Sequence, residues 1–213
     1  MQREWARRGG VVLGKTSLGL AAACAVVWLV GLYPLVQFPQ ESIQVDVYPN
    51  RVEVTGEYEY RNPLPLPVRQ GFSIPLPADA VHPLPVRLSL AQRAPAVKPI
   101  PTGYWLGRHR FDLAFAGDER IRVRLCYEQY CPDNDARYIL TTTRAWRHPL
   151  QRGTYRLVPH GVRIVASNYA LAARPAAGQG ALGFEREHFW PEQDWRFAWE
   201  INPSERNLDY ARR

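Results

Sequence analysis

From Thr16 to Phe38 the chain runs 23 positions without an Asp, Glu, Lys or Arg. A helix rising 1.5 Å per residue needs roughly 20 such positions to cross the hydrocarbon core of a bilayer, so the run predicts a transmembrane α-helix over 16–38. Arg3, Arg7, Arg8 and Lys15 precede it, while Glu41 and Asp46 follow it. By the positive-inside rule, residues 1–15 form a basic cytoplasmic end and everything after about residue 40 lies across the membrane. The expected location is the inner, cytoplasmic membrane, with one span and a periplasmic C-terminal domain. A cleaved signal peptide shares the basic start and the apolar stretch. Against it, the run continues through Trp28, Leu32 and Phe38, and Tyr33-Pro34-Leu35-Val36-Gln37-Phe38-Pro39 lacks a small-x-small cleavage pattern. In Leu20-Ala21-Ala22-Ala23-Cys24 the leucine stands one place too far from the cysteine for a lipoprotein box.

Inside the run, Gly19 and Ala23 fall four residues apart, as do Ala21 and Ala25; small residues at this spacing let a second helix backbone approach closely. Trp28 stands near the middle of the span, although indoles prefer the membrane interfaces where the ring N–H is wet. Its place implies packing against a partner helix or a bound ring, the alternative being a lone lipid-facing indole. Gly19, Ala23 and Trp28 are therefore the expected helix-packing residues, and the expected partners are other transmembrane helices and membrane lipid.

Beyond Ser42 the period changes from a continuous apolar run to strict alternation. Ile43, Val45 and Val47 alternate with Gln44 and Asp46; after Pro49-Asn50, Val52, Val54, Tyr58 and Tyr60 face one way and Glu53, Thr55, Glu57 and Glu59 the other. That is the pattern of a half-buried hairpin. It returns at Phe72-Ile74-Leu76, Val86-Leu88-Leu90, Phe111-Leu113-Phe115, Ile121-Val123-Leu125, Tyr138-Leu140-Thr142, Tyr155-Leu157 and Trp195-Phe197-Trp199-Ile201. Many short strands without an amphipathic helix between them predict a mainly β fold, an antiparallel, immunoglobulin-like β-sandwich over 42–201 behind the single N-terminal helix. Proline-rich stretches at 62–67 and 95–101 cannot supply a full set of ladder hydrogen bonds and are expected as edge crossings or extended loops. Ala172 to Gly183 is expected to be a mobile loop, and 202–213 a polar tail.

The chain carries 27 Lys and Arg against 20 Asp and Glu, a formal charge of +7. Only Lys15 and Lys98 are lysines, and the arginines are scattered singly rather than gathered into a stripe, so no nucleic-acid partner is expected. Cys126 and Cys131, four residues apart at what reads as a strand end and turn, are expected to form a disulfide on the oxidising side of the membrane, worth about 2 kcal/mol. Two free thiols are the alternative.

No catalytic set assembles in the sequence. There is no Gly-x-Ser-x-Gly elbow and no papain-like cysteine context. Thr141-Thr142-Thr143-Arg144 offers hydroxyls and a guanidinium for an anion, but alternating threonines are ordinary strand residues. Glu185-Arg186-Glu187-His188 with Glu192 and Asp194 is the best ligand-like cluster, yet on a strand Glu185 and Glu187 share a face that His188 leaves, so a solvated edge is expected. Asp133-Asn134-Asp135 lacks the glycine and terminal glutamate of a calcium loop and reads as a turn. No catalytic residue, metal or cofactor is therefore expected. Among the aromatics, Trp195, Phe197 and Trp199 alternate and should fill the core, whereas Tyr104, Trp105 and Trp190 are candidates for surface binding.

Val54-Thr55-Gly56-Glu57-Tyr58-Glu59-Tyr60-Arg61-Asn62, then Phe72-Ser73-Ile74-Pro75-Leu76-Pro77, then Tyr138-Ile139-Leu140-Thr141-Thr142-Thr143-Arg144-Ala145-Trp146 followed by Pro149-Leu150 resemble uncharacterised bacterial membrane-anchored or exported β-domain proteins. The resemblance spans about residues 52–200. It implies the fold and location and brings no catalytic residue. The expected function is that of a non-catalytic single-pass subunit whose periplasmic domain braces or decorates a larger membrane complex of respiratory, photosynthetic or secretion type. The alternative is a membrane-tethered binding module for envelope polysaccharide or lipid.

Overall fold

The computed structural model describes residues 34–94, 96–105, 108–174 and 180–203, without the side chain of Trp105. Gly19, Ala23 and Trp28, and with them most of the expected span, lie outside the described residues, as does the tail from 204. Among the described residues no helix is long and apolar enough to cross a membrane.

The β unit begins at Val36, earlier than the expected boundary at residue 42. Its strands are β1 (Gln37–Tyr48), β2 (Arg51–Arg61), β3 (Val68–Ile74), β4 (Val86–Ala94), β5 (Lys98–Pro99), β6 (Gly103–Trp105) and β7 (Arg108–Phe115), then β8 (Arg120–Tyr130), β9 (Asp135–Tyr138), β10 (Leu150–Pro159), β11 (Val162–Ser167), β12 (Ala172–Ala173), β13 (Leu182–Phe189) and β14 (Trp195–Ile201). They make one sheet of eight in the order β12-β13-β10-β1-β2-β8-β4-β5, and two of three, β11-β14-β9 and β3-β7-β6.

The last residues of the apolar run belong to this unit. Val36 and Phe38 are buried, and the pairing of β1 with β2 slips between Gln37 and Gln40. The slip resets the period-two parity, as a bulge does, so that Val36 and Phe38 before it and Glu41, Ile43, Val45 and Val47 after it all face the core. The expected span therefore ends too late: Phe38 is apolar because it packs on protein, in ring contact with Tyr60 at 5.2 Å and Trp146 at 5.6 Å.

The mainly β expectation holds; the purely antiparallel one does not. β1 runs antiparallel to β2 but parallel to β10, from Gln40 opposite Arg152 to Val47 opposite Pro159. Parallel neighbours need a long crossover, and here the chain between them builds most of the other strands. No local sequence signal announces such a partner.

Side chains from the core face of the eight-stranded sheet meet both small sheets. Tyr60 and Phe72 have ring centroids 4.6 Å apart, and Phe72 stacks on Phe111 at 5.0 Å, which joins β2 to β3 and β7. On the other side Tyr155, Phe184 and Trp195 form a second cluster, with Phe184 at 4.6 Å from Tyr155 and 5.2 Å from Trp195, joining β10 and β13 to β14. Trp195, Phe197 and Trp199 are all buried, as their alternation predicts.

Residues 138–142 do not form one strand. β9 stops at Tyr138, and Thr141–Trp146 is a 3-10 helix. The cause lies far along the chain: one carboxylate oxygen of Asp194 accepts the N–H groups of Leu140 and Thr141, each at 3.1 Å, and the Thr141 hydroxyl at 2.8 Å. The Thr143 hydroxyl donates to the Leu140 carbonyl at 2.8 Å. These bonds satisfy the helix entry, where backbone donors otherwise have no partner. The expected mobile loop at 172–183 likewise contains β12 and the start of β13, paired with each other.

Cys126 and Cys131 are free. β8 extends through Tyr130, so Cys126 lies on its outward face while Cys131 is buried on the inward side. Five residues of extended chain span about 16 Å, far beyond the separation that a disulfide tolerates. The expected bridge placed the strand end too early.

Of the two proline-rich stretches, the second supplies the edge strand β5, where a missing N–H costs least. The first is fixed by Asn62, which is fully buried and whose amide donates to the carbonyls of Leu66 and Ala116, both at 2.8 Å.

Candidate functional site

The loop between β3 and β4 is held against the end of β8 by Gln129, a buried amide that donates to the carbonyls of Pro77 and Pro83. Within the loop Asp79 folds the chain around its own carboxylate, accepting the N–H groups of Val81 at 3.0 Å and His82 at 2.8 Å. Those two backbone donors hold the Asp79 carboxyl down at about 2. The His82 ring is thereby aimed at the turn that joins β8 to β9. Its Nδ1 lies 2.9 Å from Asp79 Oδ1, and its Nε2 lies 3.0 Å from Asp133 Oδ1 and 3.1 Å from the Asp135 carbonyl. Burial opposes the charged imidazolium, but the hydrogen bonds and charges of Asp79 and Asp133 outweigh it and raise the His82 pKa. The Asp135 carboxyl is raised by burial and then by the Asp133 charge beside it. One ligating atom from each of His82, Asp133 and Asp135 lies within 4.8 Å of the others. A cavity of ≈ 90 Å³ opens here, lined by His82, Asp79 and Asp135 and also by Arg137 and Arg196.

The thiol nearest this cluster is no nucleophile. Burial pushes Cys131 up to about 12, the charges of Asp133 and Asp135 adding to the shift, and its sulfur lies 3.7 Å from the Gln129 carbonyl. A thiol held protonated neither attacks nor ligates readily.

A second polar region crosses the large sheet at β1. Glu41 is on the core side of β1 and buried; burial raises its carboxyl to about 8, the Tyr155 hydroxyl pulling the other way. Around it stand Tyr58 and Tyr138, whose hydroxyls share a hydrogen bond of 2.9 Å, and Tyr60 and Tyr155, all four held well above the ordinary phenol range first by burial and then by Glu41. Glu41 Oε1 and the Tyr155 hydroxyl are buried without a well-aligned hydrogen-bond partner. Two glycines make room for the rings: a Cβ at Gly153 would lie 2.7 Å from the Tyr155 hydroxyl, and one at Gly56 would overlap Tyr58. A polar groove of ≈ 280 Å³ lies at the same strands, lined by Gln40, Ser42, Glu57, Arg122, Arg152 and Thr154 among others.

The residues expected to bind at the surface do not converge. Trp190 is 37% exposed, with the Arg144 guanidinium over its ring at 5.9 Å. Tyr104 is 54% exposed and packs its ring on His109 at 5.0 Å; Trp105 at the end of β6 pairs with Arg108 at the start of β7. The ligand-like cluster at 185–194 disperses, as expected of a solvated edge. Glu185 takes Arg152 in an ion pair, Glu187 and His188 are exposed, and Asp194 caps the 3-10 helix.

The sequence marks Asp133 and Asp135 only as a turn, and it leaves both His82 and Glu41 unmarked as candidate site residues. Glu41 does carry a signal, a carboxylate at the parity of Ile43 and Val45. His82 has only a local one, the Asp-x-x-His step in a proline-bounded loop; nothing in the sequence brings Asp133 to it.

No family model and no curated protein matches the chain. Among solved structures it is similar to a protein described as a "putative nutrient binding protein" from Legionella pneumophila, at 12% identity and a TM-score of 0.58, covering 79% of this chain and 68% of that one. It is less similar to an M1 zinc metallopeptidase from Deinococcus radiodurans, at 11% identity and a TM-score of 0.41, where it spans 42% of the longer chain. The second likeness carries no argument about fold or activity. The first, at so low an identity, speaks for the β architecture alone.

Proposed function

We propose that this protein is a non-catalytic, single-pass membrane component whose β domain stands on the periplasmic side and braces or decorates a larger membrane assembly. The observation that carries this reading is the uncharged run with basic residues before it and acidic ones after it. Assigning Val36 and Phe38 to the β unit still leaves Thr16 to Leu35, about the length that a bilayer core needs. The packing of two small sheets on the large one supports a β-sandwich. The parallel β1–β10 pair sets it apart from an all-antiparallel, immunoglobulin-like one.

A non-catalytic role agrees with the chemistry of the clusters. The imidazole is engaged on both nitrogens, and the neighbouring thiol is held protonated. A second reading, a tethered binding module for envelope polysaccharide or lipid, is favoured by the partly exposed Trp190 and by the polar groove over β1.

Purification of the tagged chain in mild detergent, followed by mass spectrometry, should recover stoichiometric membrane partners, and alkaline washing should leave the chain in the membrane. A lone monomer would reject the assembly role, and a soluble mature chain beginning near residue 40 would reject the anchor. Under the second reading, glycans should quench tryptophan fluorescence, and Trp190→Ala should remove the effect.

A further inference from the structure

We propose that His82, Asp133 and Asp135 form a binding site for one divalent transition-metal ion of the zinc type. The donor set is one imidazole nitrogen and two carboxylates, which suits a borderline cation. The geometry is already close: atoms that share a zinc ion at about 2.0–2.2 Å stand roughly 3–3.5 Å apart, and His82 Nε2 lies 3.0 Å from Asp133 Oδ1. The Asp135 carboxylate, within 4.8 Å of both, has no hydrogen bond to any described side chain or backbone group.

The surroundings are those of a ligating histidine. Asp79 Oδ1 accepts from His82 Nδ1 at 2.9 Å, which fixes the ring orientation and aims Nε2 at Asp133 and the Asp135 carbonyl, so that a bound ion would take the place of the Nε2 proton these oxygens accept. Carboxylate–imidazole pairs of this kind orient histidine ligands and raise their basicity. His82 is largely buried, its side chain 14% exposed, whereas the two acids reach solvent, so an ion can enter without opening the core. Two separate segments contribute, the β3–β4 loop and the β8–β9 turn, and the ion would clamp one to the other. Arg137 and Arg196, cross-strand neighbours on β9 and β14, line the same cavity. Their charge tempers the affinity that the carboxylates alone would give, and their N–H groups suit an anion or a water completing the coordination.

The test uses the full chain in mild detergent, stripped with a chelator and titrated with Zn²⁺ by calorimetry while its melting temperature is followed. One equivalent should bind and raise the melting temperature. Asp135→Asn, which removes no hydrogen bond seen in the fold, and Asp133→Asn should each weaken binding by tenfold or more. Asp79→Asn, a change at a positioning residue, should weaken it by about tenfold. Glu187→Gln with His188→Gln should leave it unchanged. Absence of saturable Zn²⁺ uptake by the unaltered chain overturns the proposal. So does uptake that survives Asp133→Asn and Asp135→Asn together in a chain that still melts cooperatively, because the ion then sits elsewhere.

Discussion

Glu41 and His82 are both ionisable groups ringed by polar side chains, yet they stand in opposite conditions. Glu41 is sealed in the core among four phenols, with one oxygen unpartnered, and its carboxyl is neutral over much of the physiological range. His82 lies at a rim where every nitrogen meets a carboxylate and the acids keep contact with water. Burial without an opposing charge removes the proton equilibrium from the usual range; at His82 the neighbouring carboxylates, left partly in water, supply the opposing charge and can hold a cation. The difference lies in the solvent each group retains, more than in its residue type.

The sharpest way to break this comparison is pH. Glu41 has a folded-state value raised from 4.5 to about 8, so its contribution is greatest in acid. Above 4.5 the unfolded chain releases the proton while the folded chain keeps it, and stability falls until the pH passes about 8. The melting temperature should therefore drop between these values, by the equivalent of at most about 5 kcal/mol. Glu41→Gln should flatten that slope and raise stability at the alkaline end. An unchanged slope would show that the acid is not neutral in the fold.

Next in size is Gly153→Ala, which places a methyl group against the Tyr155 ring beside Glu41. It should cost about 1–3 kcal/mol in thermal or denaturant unfolding, and Tyr155→Leu in the same chain should recover part of it. Tyr138→Phe removes one hydroxyl of the Tyr58–Tyr138 pair and should cost about 1–2 kcal/mol. Asp79→Asn at the rim should move the melting temperature less than either. Smallest of all, Cys126→Ser should change stability by less than about 0.5 kcal/mol. Alkylation under non-reducing conditions should label Cys126 in the folded chain and Cys131 only on unfolding, whereas protection of both that reductant lifts would restore the disulfide.

The parts that were readable from the sequence are those where one residue's neighbours in the chain decide its surroundings. Alternation at 43–47 and 52–60 gave the hairpin of β1 and β2 with the correct faces, and alternation at 195–199 gave its buried aromatics. The parity of Glu41 was readable too, although a carboxylate among valines draws the eye less than the apolar residues do. Failures came where a distant group intervenes. Asp194 turns Thr141–Thr143 into a 3-10 helix, β10 adds itself in parallel to β1, and the length of β8 separates two cysteines that look close on paper.

The sequence by itself determined that most of this chain is sheet, which apolar residues of β1, β2, β7, β8 and β14 face inward, and that an uncharged stretch precedes the domain, because period and charge are local properties of a chain; at β4 a register shift leaves Val86 exposed against its alternation. Tertiary structure alone decided that Phe38 serves the core, that Cys126 and Cys131 stay apart, and that His82 meets Asp133 across some fifty residues. Strand partners, strand ends and loop crossings depend on the free energy of the assembled whole, which no window of neighbouring residues contains.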